Sequence, residues 1–175
     1  MKKTNVKKLT LAAVFVAISV AGSLFSFPVL GSKCSPVQHL MNIMGAVFLG
    51  PGYAVATAFA ASLIRNFMGL GTLLAFPGSM CGALIAGLLY KYIKKLPAAY
   101  IGEVFGTGII GGMLAFPVAK LILELDVAAT AFVVPFLIST CGGAAIAIIL
   151  VTALKKSGVI DRLLEDNNVS AVKEV

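Results

Sequence analysis

The sequence has no tryptophan, one histidine, three cysteines and only seven acidic residues in 175. Each scarcity excludes something. One His with Cys34, Cys81 and Cys141 gives no metal-ligand spacing and no even disulfide set. Cys81 and Cys141 sit inside apolar runs, where a thiol packs as a small hydrophobe. No G-x-x-x-x-G-K-[ST] loop is present, so the chain does not itself hydrolyse ATP by that route. Charge of either sign is sparse, at 12% of residues against about 25% in a soluble domain. A soluble fold could not cover its surface with so few. The net charge of +7 does not point to nucleic acid, because the basic residues flank apolar runs and read as topology signals.

Long uncharged runs are what the sequence does have. Leu9–Ser32, Cys34–Ile64, Asn66–Tyr90 and Val127–Leu154 contain no Asp, Glu, Lys or Arg, and mean hydropathy is +1.02. About 20 apolar residues cross the hydrocarbon core as a helix. The runs do not alternate polar and apolar, which excludes a transmembrane barrel. The expected fold is an all-α integral membrane protein with six transmembrane helices, the second and third short. The boundaries are about Leu9–Leu30, Pro36–Leu49, Tyr53–Phe67, Leu73–Ile93, Ala98–Leu123 and Ala128–Leu154. Four spans plus a re-entrant hairpin at 36–65 is the alternative. Residues 1–8 form a basic N-terminus, 9–154 the membrane domain and 155–175 a polar tail. The first run exceeds the roughly 7–15 residues of a signal-peptide core and more spans follow, so it reads as a span.

Six crossings put Lys2, Lys3, Lys7, Lys8, Lys91, Lys94, Lys95, Lys155, Lys156, Arg162 and Lys173 on one side. Lys33, Arg65 and Lys120 remain on the other. That bias places both termini in the cytoplasm of a bacterial or archaeal cell-membrane protein.

Gly106-Thr107-Gly108-Ile109-Ile110-Gly111 matches G-x-G-x-x-G, but no strand precedes it and it lies in a span. These glycines read instead as helix-packing positions, like Gly78/Gly82, Gly102/Gly106 and Gly108/Gly112. "LLAFP" (73–77) and "MLAFP" (113–117) echo each other and each sets a proline in an apolar helix.

Polar groups gather at the outer side. Gln38 and Asn42 are i,i+4 and His39 and Asn42 are i,i+3, so the three share a helix face. The turn Gly50-Pro51-Gly52 makes the two short helices antiparallel, which brings Arg65 and Asn66 to the same mouth. Arg65 could equally be an anchor that snorkels to headgroups. A polar pocket there, with Phe67, Phe76 and Phe116 as flat walls, suits a small, mostly neutral heteroaromatic ligand. Lys120 and Glu124, at i,i+4, are expected to pair. Glu103 is expected to pair with Lys94 or Lys95, although an intramembrane carboxylate is a functional suspect. Ala13, Ala17 and Ala21 form a smooth stripe that either packs in its own bundle or docks another membrane subunit.

Three stretches carry a family resemblance: "KLTLAAVFVAISV" (8–20), "SPVQHLMNIMGAVFLGPGYA" (35–54) and "LIRNFMGLGTLLAFPGSMCGALIAGLLY" (63–90). The sequence resembles the ThiW family, thiazole-type substrate-binding (S) components of energy-coupling factor transporters, over about residues 8–150. The resemblance implies a six-helix subunit that captures hydroxyethylthiazole, a thiamine precursor, outside the cell. It implies partners, a transmembrane coupling (T) subunit and two ATP-binding-cassette ATPases, with no cofactor on this chain because ATP is used by those partners. Ala13, Ala17 and Ala21 carry over as the coupling-subunit face. Gln38, His39, Asn42, Arg65 and Asn66 carry over as substrate-binding candidates, beside Phe76 as a wall. Rival readings are a stand-alone proton-coupled secondary transporter using Glu103, and a small membrane enzyme with His39 as acid–base.

Overall fold

The computed structural model describes residues 3–30 and 32–158. Expectations for Lys2, Arg162, Lys173 and most of the polar tail lie outside the described residues. The elements run α1 (Lys3–Ala21), a 3-10 turn (Gly22–Phe25), β1 (Phe27–Val29), β2 (Ser32–Cys34), α2 (Pro36–Phe48), α3 (Pro51–Phe67), α4 (Ala75–Ile93), α5 (Leu96–Phe105), a π-helical turn (Gly106–Gly111), α6 (Gly112–Leu121) and α7 (Val133–Lys156). The segment from α5 through α6 is one continuous rod, so the described residues make six helical rods.

The first expected span is corrected. Its helical part stops at Phe25, and a two-stranded antiparallel hairpin follows, pairing Phe27 with Cys34 and Val29 with Ser32. The reason is local. Pro28 lacks an N–H and biases Phe27 to extended backbone. Leu30 takes φ 47, the left-handed geometry that a two-residue hairpin turn demands. The fold is therefore nearly, not wholly, helical.

Helix α2 is short and central. Every residue from Gln38 to Leu49 is buried, and it touches α1, α3, α4, α5 and α7. Pro36 and Pro51 occupy first-turn positions, where a missing N–H is harmless. Gly50 between them has φ 84, which only glycine adopts without strain. The α2–α3 turn meets α4 at Gly87, where an added Cβ would lie 2.6 Å from Pro51 Cα. That point is about 9 Å above the Ile93 end of α4 at 1.5 Å per residue. Below it, Tyr90, Leu96, Tyr100 and Leu154 pack against the core formed by Ile43, Met44, Val47 and Leu49.

The α4 face and the α5–α6 rod approach through glycine. A Cβ on Gly111 would fall 2.5 Å from Gly78 Cα, and one on Gly102 2.7 Å from Ala86 Cα. The G-x-G-x-x-G run is thus a helix-packing surface, as its context predicts, and it winds as a π turn.

Burial is inverted relative to a soluble protein. Gln38, His39, Asn42, Ser62, Arg65, Glu103 and Thr107 are buried, while Phe67, Tyr92, Leu121 and Ile149 are exposed. Such an apolar exterior belongs in lipid. Among the described residues three helical segments, Val6–Phe25, Leu96–Leu121 and Val133–Leu154, are long and apolar enough to cross a membrane. The chain is a helical membrane protein.

Candidate functional site

Arg65 stands in the last turn of α3, where the helix dipole favours a cation. Its burial comes from the loop that follows. Gly69 has φ 70 and ends the helix in the left-handed conformation common at that position. The N–H groups of Leu70 and Gly71 both donate to Arg65 O, at 2.8 and 3.0 Å. Asn66 clips the loop down, its Nδ2 donating to Ser62 O at 3.2 Å and Thr72 O at 3.0 Å. The chain so folds back over Arg65, which is 2% exposed. Its Nε and Nη1 have no hydrogen-bond partner among the described residues.

Beneath it lies a directional network. Gln38 Nε2 donates to Ser62 Oγ at 3.0 Å, Ser62 Oγ lies 3.0 Å from Ser79 Oγ, and Ser79 Oγ donates to Ala75 O at 2.8 Å. A second branch centres on Glu103 Oε1. It lies 2.9 Å from His39 Nδ1, 3.0 Å from Asn42 Nδ2 and 2.9 Å from Thr107 Oγ1. An ionised carboxylate only accepts, which puts the imidazole proton on Nδ1 when Glu103 is ionised; the single hydroxyl hydrogen of Thr107 is shared between Glu103 Oε1 and Gly78 O at 3.2 Å. His39 Nε2 then accepts from Ser139 Oγ at 3.0 Å, and Ser139 Oγ accepts the Ser35 N–H at 2.8 Å. Glu103 Oε2 is buried without a partner.

These groups surround a cavity at the α2 N-terminal end. It is lined by Lys33, Ser35, Gln38, His39, Arg65, Gly71, Thr72, Ala75, Gly78, Ser79, Thr107, Phe136 and Ser139. Its volume is about 30 Å³, room for about two waters. A heteroaromatic molecule enters only when the walls part. Two of its walls are not helical: the hairpin, which hangs on α7 through Cys34 Sγ to Pro135 O at 3.3 Å, and the 68–74 loop.

The structure brings Gln38, His39 and Arg65 to the cavity. Asn42 sits behind His39 and holds Glu103. Asn66 holds the loop. Phe76 faces Phe59, ring centroids 5.6 Å apart, and does not line the cavity. Phe67 is outward-facing, and Phe116 lies under Lys120 Nζ at 5.6 Å. The aromatic wall is Phe136, which the sequence reading passed over. Two expected ion pairs are corrected. Glu103 is fully buried on His39 rather than near Lys94 or Lys95, because the rod it stands on packs that face against α2 and α4. Lys120 covers Phe116 instead of meeting Glu124, because α6 ends at Leu121 and Glu124 takes φ 52.

Ser62, Ser79, Thr107 and Ser139 were also missed. A serine in an apolar helix commonly bonds its own i−4 carbonyl, so it gives little signal; Ser79 does so and still serves the network. On α1, Ala13, Ala17 and Ala21 are exposed, whereas Ala12, Phe15 and Ser19 turn inward. The alanine stripe is not used in packing its own bundle.

Among protein families, the one described as thiamine-precursor transporter protein (ThiW) matches residues 9–157. Neither a curated protein nor a solved structure matches the chain.

Proposed function

Because the chain belongs to the thiamine-precursor transporter (ThiW) family, we propose that it is the substrate-capturing subunit of an ATP-driven importer of the energy-coupling factor type. In this reading the cavity beside Arg65 holds the thiazole moiety of thiamine, entering from outside the cell. Gln38, His39 and Ser139 offer hydrogen-bonding groups and Phe136 a flat face. Asn42, Asn66, Glu103 and Thr107 hold those groups in place. The supporting observation is a cavity lined by the buried polar side chains Gln38, His39, Arg65 and Ser139, bounded below by a packed core.

Transport rather than catalysis accords with the family. Ser139, His39 and Glu103 have the connectivity of a hydrolytic triad. Here Ser139 is tied to the Ser35 amide, so the chain of groups serves to orient His39. The exposed Ala13–Ala17–Ala21 stripe is the surface on which a transmembrane coupling subunit docks, and two ATPases on that subunit supply the energy.

One observation favours a second reading: a fully buried carboxylate touching a cavity-lining histidine. A proton-coupled transporter working alone would use that pair. Uptake of labelled hydroxyethylthiazole in cells with and without the ATPase module separates the two. The importer reading expects uptake only with the module, and persistent uptake without it favours the proton-coupled one. Mass spectrometry of small molecules co-purified with the solubilised protein tests the ligand directly.

A further inference from the structure

A guanidinium used as a membrane anchor extends to headgroups. Arg65 does the reverse, being 2% exposed and lining the cavity. Its Nε and Nη1 are buried without acceptors. The adjacent helix-end carbonyl offers no relief, because Arg65 O is taken by Leu70 and Gly71. A second cation, Lys33, lines the same cavity, and neither Asp nor Glu appears among the lining residues. The buried Glu103 holds His39, Asn42 and Thr107 through Oε1, and its Oε2 faces Gly82 without bonding Arg65. A buried guanidinium without an acceptor, with a second, solvent-exposed cation at the rim of the same cavity, is unfavourable unless a ligand supplies the negative charge. The planar fork of arginine matches phosphate oxygens better than a point charge does.

We propose that the cavity is an anion seat, and that the form of the precursor it holds carries a phosphate ester, its oxygens meeting Arg65 inside and Lys33 at the rim. This rests on the thiamine-precursor reading for the heterocycle, but not for the charge. It replaces the expectation of a mostly neutral ligand.

The test uses the full chain purified in maltoside detergent, which brings no phosphate. Affinities are measured for hydroxyethylthiazole, its phosphate monoester and inorganic phosphate, on the wild type and on Arg65→Gln, Arg65→Lys and Lys33→Gln. The expected result is at least tenfold tighter binding of the ester than of the alcohol. That preference disappears in Arg65→Gln, survives in part in Arg65→Lys and falls a few-fold in Lys33→Gln. Competition of the ester by inorganic phosphate on the wild type supports the seat even if Arg65→Gln fails to fold. Phosphate binding without either thiazole keeps the anion seat and removes the thiazole reading. Alcohol binding equal to or tighter than ester binding overturns the proposal and leaves the thiazole reading intact. Absence of binding by ester and phosphate alike overturns it too. Phosphatidylglycerol that displaces the ester and loses its hold in Arg65→Gln assigns the cations to a lipid headgroup, which also overturns it.

Discussion

Glu103 shows how one side chain organises a polar interior. Its Oε1 gathers donors from α2 and from its own rod, while Oε2 faces Gly82, where an added Cβ would lie 2.6 Å away. Glutamine keeps an acceptor for all three donors, so Glu103→Gln is expected to leave folding and ATP-driven uptake near wild type. Glu103→Ala takes the acceptor from His39 Nδ1 and from one N–H of Asn42, while Thr107 Oγ1 keeps Gly78 O and Asn42 Nδ2 keeps Ser79 O. It costs about 1–3 kcal/mol for each group left unpaired. Thermal unfolding of the two purified variants checks this, and uptake abolished by glutamine alone would favour proton coupling. At this scale the sequence was half legible. Helical spacing and a tight turn are enough to bring Gln38, His39 and Arg65 together. The partner of Glu103 was not legible, because Lys94 and Lys95 are near in the chain whereas His39 is near only once α2 is inserted between α4 and α7. Phe136 was hidden for the same reason, since nothing in its own run marks the face it turns inward.

Among the elements, the π turn and its glycines decide how closely two rods approach. Gly111→Ala would press a methyl onto the Gly78 backbone, and a backbone cannot swing aside as a side-chain tip does. Overpacking of this kind costs about 1–3 kcal/mol. Gly52 in α3 has no neighbour within 4 Å of an added Cβ and an ordinary backbone, so Gly52→Ala is expected to be neutral or stabilising by up to about 1 kcal/mol. Detergent melting curves compare the pair, and equal losses would refute the close-approach account. Helix existence was readable from the uncharged runs, and the glycine surfaces from their spacing. The hairpin was not, because three-residue strands fall below any periodicity and Phe27-Pro28-Val29 continues the hydrophobicity of the helix before it.

At the level of the whole molecule, one face is left smooth and one end is left basic. Ala17→Glu sets a charge in the exposed stripe without touching the cavity. It is expected to reduce uptake at least tenfold while ligand affinity of the isolated chain stays within about twofold, a split measured by transport and by calorimetry; a charge held at a lipid-facing or docking surface is costly. If binding falls in step with uptake, the stripe is not a docking face. The basic-residue bias predicts an orientation that can be tested. In a cysteine-free background, Asp126→Cys is expected to react with an impermeant maleimide on intact cells, and Lys95→Cys only after permeabilisation. The reverse pattern would invert the molecule and with it the direction of capture.

The turn at Gly50 stops against Gly87, with Tyr90, Leu96, Tyr100 and Leu154 plugged beneath it. In the proposed reading this closed floor makes the cavity a vessel filled from the opposite end. Cargo cannot fall through its floor without melting the floor. Delivery to the far side then requires that the vessel itself be tipped, so the work of transport falls on whatever grips its outer wall.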